Sequence, residues 1–153
     1  MRTMFFILSL MGSAAAQGTA YNYCQATHNS FGTIASISYL GSLSLSSGTF
    51  ELTVTGCPPV PDSYGMFTFG QTQYNVPFGH GYLCIQPFTP AIFRMTPQHL
   101  FPGTLTKSIQ SEPQEFAAFQ PSSSWNFQFW YRNPAAGGPN FNLSDALHVD
   151  FAP

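Results

Sequence analysis

The chain has 153 residues and a formal charge of −2, with 7% charged, 16% aromatic and 44% hydrophobic residues. Its basic residues, Arg2, Arg94, Lys107 and Arg132, are scattered, which excludes the clustered Lys and Arg that neutralise nucleic-acid phosphates. So many aromatic and apolar residues exclude disorder, and so few charges leave the surface of a folded domain to Ser, Thr, Asn and Gln.

Met1-Arg2-Thr3 is a basic start, Met4 to Met11 is an apolar run, and Gly12-Ser13-Ala14-Ala15-Ala16 is a small-residue exit. That order is the pattern of a secretory signal peptide over 1–16, cleaved after Ala16. The apolar run is far shorter than the roughly 20 residues that span a bilayer as a helix, so no stable transmembrane segment is expected after cleavage. No Cys follows the cleavage point directly, which argues against lipoprotein processing. Residues 17–153 then form a single domain of ordinary size.

Period-two patterning dominates that domain and predicts an all-β fold. Strands are expected at 33–40 and 43–45, and then at 50–55, where Phe50, Leu52 and Val54 alternate with Glu51, Thr53 and Thr55. Further strands are expected at 64–69, 73–76, 82–86, 92–95 and 105–109. The segment 113–119 reads as one helical turn or a loop. Trp125, Phe127, Phe129 and Tyr131 share one face of a strand at 125–131, where only Trp130 breaks the alternation. Leu147, Val149 and Phe151 share a face of the last strand. Pro, Gly, Asn and Ser punctuate the intervals, above all at 58–62, 79–81 and 133–140. Short strands at this spacing predict an antiparallel β-sandwich of jelly-roll or immunoglobulin-like type. An outer-membrane barrel would need uninterrupted alternating strands of about 9 to 11 residues, and Pro or Gly breaks most runs sooner.

Cys24, Cys57 and Cys84 allow three pairings, and an oxidising destination favours one bridge with one thiol left over. A Cys24 to Cys84 bridge would tether the N-terminal segment to an apolar strand, and Cys57, beside two prolines, reads as the unpaired one. Metal-ligand spacings such as Cys-x-x-Cys are absent, and no cofactor motif is present. His28, His80, His99 and His148 are dispersed. His148 reads as a surface residue of the last strand, whereas His80, between Gly79 and Gly81, is placed at a loop tip that suits ligand contact. Trp130 faces opposite Phe129 and Tyr131, outward in a two-sheet sandwich, and with Tyr74 it forms the candidate binding platform, since flat aromatic faces stack on sugar rings. Arg132 and Asp145 flank the 133–140 loop and are expected to close it as a structural ion pair. Asp145 or Asp150 would supply an acid pair if the chain were a glycoside hydrolase.

The segments Tyr23-Cys24 with Asn29-Ser30-Phe31-Gly32, Pro77-Phe78-Gly79-His80-Gly81-Tyr82-Leu83-Cys84, and Trp130-Tyr131-Arg132-Asn133-Pro134 with Asn142-Leu143-Ser144-Asp145-Ala146-Leu147 resemble a group of uncharacterised secreted proteins of planctomycete-like and myxobacterium-like bacteria. The resemblance implies an exported all-β module, sometimes the tail of larger surface proteins. It also implies that Cys24 pairs with Cys84, and that Asn133 replaces a commoner Asp. It carries over no catalytic residue. The expectation is therefore a secreted, non-catalytic β-sandwich acting at or beyond the cell envelope, with a cell-surface glycan or an envelope protein as partner. A small extracellular carbohydrate-active hydrolase and a structural envelope component are the alternatives.

Overall fold

The computed structural model describes residues 17–112 and 117–153. The expected leader, 1–16, and residues 113–116 of the expected turn or loop lie outside the described residues. In chain order the strands are β1 (Thr19–Tyr23), β2 (Ser36–Leu40), β3 (Glu51–Thr55), β4 (Tyr64–Gly70), β5 (Gln73–Phe78) and β6 (Gly81–Ile85). There follow β7 (Phe93–Arg94), β8 (Gln98–His99), β9 (Leu105–Ser108), β10 (Ser124–Arg132) and β11 (Phe141–Asp150). Every strand pair is antiparallel. Among the described residues the only helical pieces are 3-10 turns, at Leu45–Ser47, Ile109–Ser111 and Pro134–Ala136.

The strands form a central sheet in the order β1-β11-β10-β4-β7, with β8 also on β4, a second sheet β2-β3-β9, and a β5-β6 hairpin. The core fills the space between the first two sheets, and period-two patterning explains why. Phe50, Leu52 and Val54 on one side meet Phe67, Phe69, Trp125, Phe127, Phe129, Tyr131, Leu147, Val149 and Phe151 on the other, all buried in one cluster. Several of the rings meet edge-on or tilted, as their quadrupoles favour: Phe67 and Phe129 lie 4.7 Å apart at 62°, and Phe50 and Phe151 lie 5.2 Å apart at 76°. Each such side chain contributes about 1.5–3 kcal/mol on burial. Close packing reaches the backbone at Gly65, where a Cβ would lie 2.3 Å from the Phe129 ring.

The back face of the central sheet departs from a two-layer sandwich. Polar residues that alternation points outward, Asn126, Gln128 and Ser144, are fully buried. The reason is a third layer: the β5-β6 hairpin lies across β10 and β11 on that side. Gln128 fastens it, donating from Nε2 to the carbonyls of Tyr82 (2.8 Å) and Ser144 (2.8 Å) and accepting from the Cys84 N–H at 3.0 Å. The Ser144 hydroxyl in turn accepts from the Phe129 N–H at 3.0 Å, beside the register shift between β10 and β11. Cys24 and Cys84 form the disulfide, and the Tyr23 hydroxyl donates to the Cys84 carbonyl at 2.9 Å, so β1 and β6 are held together covalently and by a hydrogen bond. A loop of this sequence separation, 60 residues, contributes about 4 kcal/mol through the unfolded chain.

A buried ion pair also ties a loop to the layers. Lys107 of β9, itself buried, pairs with Glu112 at 2.5 Å, and Thr96 donates to the second Glu112 oxygen at 2.9 Å. Burial alone would raise the Glu112 carboxyl, but hydrogen bonds from Lys107 and Thr96 and the Lys107 charge hold it below its ordinary range. Cys57 is unpaired and buried, and desolvation pushes its thiol up to about 12.

The Gln128 clamp and the thiol inventory are both measurable. Gln128→Leu strands the Cys84 N–H and two carbonyls without partners, at a cost of about 2–4 kcal/mol. The expected loss in melting temperature is about 10 °C, and an unchanged melt would show that the hairpin is held by the disulfide alone. Alkylation without reductant is expected to label no thiol in the folded protein and a single one after denaturation, read by mass shift.

Candidate functional site

The hairpin covers only part of the back face, and the remainder forms an open groove of about 630 Å³. Its floor is the central sheet: Met66 and Thr68 from β4, Trp130 from β10, and Phe141 and Leu143 from β11. On β4 and β10 these side chains alternate with the buried core set, and on β11 the register shift opposite Gln128 to Trp130 turns Phe141 and Leu143 to the groove face although Leu147 and Val149 face the core. Trp130 lies opposite Met66 and Leu143 in the sheet register, which brings the three together across β4, β10 and β11. One wall is the hairpin, where Tyr74, Val76 and Phe78 come from alternate positions of β5 and Leu83 from β6. The other lip is the stretch from Pro87 and Phe88 through Ile92 to Arg94. Phe88 is 71% exposed there, the most exposed of the large hydrophobic residues among the described residues.

Aromatic rings dominate one end. Trp130 stacks at a tilt on Phe141, centroids 5.6 Å apart, and Phe141 meets Phe78 at 5.1 Å. The chain approaches so closely here that a Cβ at Gly79, where φ is +63°, would lie 2.2 Å from the Phe141 ring, which glycine alone avoids in this left-handed turn. At the other end sits Arg94, the one charged residue of the lining, opposite Thr68 in the sheet register. The Thr68 hydroxyl is already committed, donating to the Gln128 carbonyl at 3.0 Å.

Trp130 and Tyr74, expected as a platform from their strand positions, do line one site. Trp130 is half-buried there under the third layer, where a two-layer sandwich would have left it bare. His80 stands outside the lining. Its Nε2 lies 2.7 Å from the Gly137 carbonyl, its N–H donates to Phe141 at 3.2 Å, and its carbonyl accepts from Thr27 at 2.6 Å. It pins the hairpin turn to the 133–140 loop. His148 is largely covered, its Nδ1 2.9 Å from the Asn126 amide oxygen and its Nε2 3.1 Å from Asp150. The buried amide side of the sheet claims it, so the surface reading is corrected.

The expected Arg132 to Asp145 staple does not form; the ion pairs among the described residues are Lys107 to Glu112 and His148 to Asp150. Asp145 lies inside β11, since that strand starts at Phe141, and its carboxylate points to β1 and β2. It accepts from the Ile37 N–H at 2.8 Å, from Asn22 at 2.9 Å and from Ser36 at 3.2 Å, so it ties the two sheets together. Burial raises its carboxyl above the ordinary range despite these hydrogen bonds. Asp150 is lowered instead, chiefly by hydrogen bonds from Ser124 (2.5 Å) and Thr19 (2.7 Å). Neither carboxylate lines the groove, so neither serves chemistry there.

Among the described residues no group of three or more His, Cys, Asp or Glu side chains could hold a metal ion, and no helix is long and apolar enough to cross a membrane. Phe78, Phe88, Phe141, Leu143 and Arg94 were not singled out by sequence reasoning. The apolar alternation of β5 and the start of β11 carried a faint signal, but only the register of β4, β10 and β11 assembles them. Comparison with protein-family models, curated proteins and solved structures finds no match, and the site is read from its geometry alone.

Asp145 sets a pH test. Because its folded value is raised, its stabilising contribution is complete at low pH and declines as pH rises through that value. Glu112 and Asp150, both lowered, act oppositely: their contributions are present above the ordinary carboxylate range and fade as acid protonates them. Relative to Asp145→Asn, which does not titrate, the native chain is expected to gain stability between pH 7 and pH 4, measured by urea unfolding. A difference flat in pH would refute the raised Asp145. Asp145→Ala leaves the Ile37 N–H and Asn22 without this partner and is expected to cost about 1–3 kcal/mol.

Proposed function

We propose that the protein is a secreted, non-catalytic binding module, working at or beyond the cell envelope, and that the groove behind the central sheet holds an apolar ligand. The observation that carries this reading is the groove itself. At about 630 Å³ it falls within the range of small-molecule sites, and its lining is aliphatic and aromatic with few polar side chains. Exposed apolar surface of this kind costs solubility unless it serves binding. The disulfide, the leader-like N-terminus and the likeness to secreted bacterial proteins support export.

A sugar is the second reading, favoured by Trp130 and Tyr74 sharing one wall and floor. A pyranose, however, needs hydrogen-bond partners for several hydroxyls, and the groove offers little beyond Arg94 and the committed Thr68. An apolar occupant demands none.

The test uses N-phenyl-1-naphthylamine, a neutral apolar dye that brightens on leaving water. Saturable binding is expected, weakened about tenfold by Trp130→Ala, the equivalent of about 1.4 kcal/mol of lost burial. Circular dichroism should be unchanged, since Trp130 lies outside the core cluster. Absence of saturable binding, or equal affinity in the variant, would defeat the reading. Retention on a glycan array that Trp130→Ala abolishes, without dye uptake, would put a sugar in the groove instead.

A further inference from the structure

We infer that the groove takes a single-chain anionic amphiphile, a fatty carboxylate, with its head at Arg94 and its tail running to Trp130, Phe141 and Phe78. This rests on the binding-module reading and specifies its ligand.

Three observations carry it. The first is charge: Arg94 is the single charged residue of the lining, and among the described residues it makes no ion pair, so its guanidinium is open to an incoming anion. The chain has few charges to spare, which makes a cation beside an apolar groove a specific feature of the site. A planar guanidinium matches a carboxylate through two parallel hydrogen bonds.

The second is shape. Arg94 is level with Thr68 and Gln128, whereas Phe141 is level with Arg132, four residues further along β10. The strand order β7-β4-β10-β11 places them three strand spacings apart as well. With about 4.8 Å between strands and about 3.4 Å per residue, the charged end and the aromatic end are about 20 Å apart on the diagonal. A slot of that length with its cation at one extremity fits an extended chain carrying one head group, not a compact ring.

The third is the lining between the ends. Met66, Val76, Leu83 and Leu143 bridge Arg94 and the aromatic cluster without a carboxylate or a second cation to stop the tail or hold a second head. A dianionic phosphate would need further cations that the groove lacks. Exposed Phe88 overhangs the lip, where it can cover the chain's outer edge.

The experiment is displacement of N-phenyl-1-naphthylamine by dodecanoate, dodecanol and dodecyltrimethylammonium, each below its micellar concentration. Dodecanoate is expected to displace best. Affinity in the saturated carboxylate series should rise about fourfold per methylene until the groove is full, as about 0.8 kcal/mol per buried methylene implies. Arg94→Gln should cut the preference for dodecanoate over dodecanol about two- to fivefold, with Arg94→Lys between the two, because an exposed pair contributes modestly. Raising salt from 0.05 to 0.5 M should erode that preference in the native protein but not in Arg94→Gln. If the dye binds and Trp130→Ala weakens it, yet dodecanoate is no better than dodecanol or Arg94→Gln changes nothing, the fatty-carboxylate inference fails while the groove stands. If the dye does not bind at all, both readings fall together.

Discussion

The amide of Gln128 is fully buried in the middle of the central sheet, and both of its ends must be satisfied there because water cannot reach it. Satisfaction comes from the hairpin: the Tyr82 carbonyl and Cys84 N–H of β6 on one side, the Ser144 carbonyl of β11 on the other. A buried amide with all partners in place specifies one docking position, since sliding β6 along the sheet by a residue would exchange donors for acceptors. The disulfide and the Tyr23 hydroxyl fix the same strand from β1, at the same residue, Cys84. Everything about the groove follows from where this clamp holds β6, because the remaining back face of β4, β10 and β11 is what the hairpin does not reach.

The two faces of the central sheet therefore use different physics. The front face is sorted by transfer from water and packed by interlocking aromatic rings, a non-directional term that tolerates many sequences. The back face is held by directional bonds as well: Gln128 at the hairpin, and Asn126 donating to the carbonyls of Gly70 and Gln71. Polar fastening leaves apolar surface available for something else. β6 adds buried Cys84 and Ile85, neither of which lines the groove, so most of the groove's apolar side chains are left free of the docking.

This division also explains what could be read from the chain alone. The strands at 50–55 and 125–131 and the end of β11 were legible because one side faces a continuous apolar layer, so alternation marks them. The expected strand at 43–45 is absent: Leu43 lies in a bend and the chain turns through Leu45–Ser47. The first half of β11 was not assigned to a strand: its Phe141-Asn142-Leu143-Ser144 alternation is short, and the register shift opposite β10 breaks its continuity with Leu147 and Val149. β1 was missed as an edge strand whose residues are mostly exposed. Trp130 and Tyr74 stood out as isolated large aromatics, whereas Phe141, Phe78 and Arg94 acquire meaning only through strand register, which pairs segments far apart in sequence. Arg132 and Asp145 are near neighbours in number across a loop, yet the β10 to β11 register sends Asp145 toward β2.

The same register bears on why the groove ends where it does. Gly79 and Gly81 bracket the hairpin turn, and both sit against the start of β11: a Cβ at Gly79 would strike Phe141, and one at Gly81 would lie 2.5 Å from the Asn142 amide oxygen. His80 between them binds the Gly137 carbonyl, which closes the hairpin onto the 133–140 loop. The glycines and His80 thus hold the hairpin turn against the start of β11 at the aromatic end, while Arg94 sits at the opposite end on the short edge strand β7. A groove aromatic at one end and cationic at the other favours one orientation of an amphiphile: the tail lies against the rings, and the head stays where water and the exposed guanidinium can both reach it.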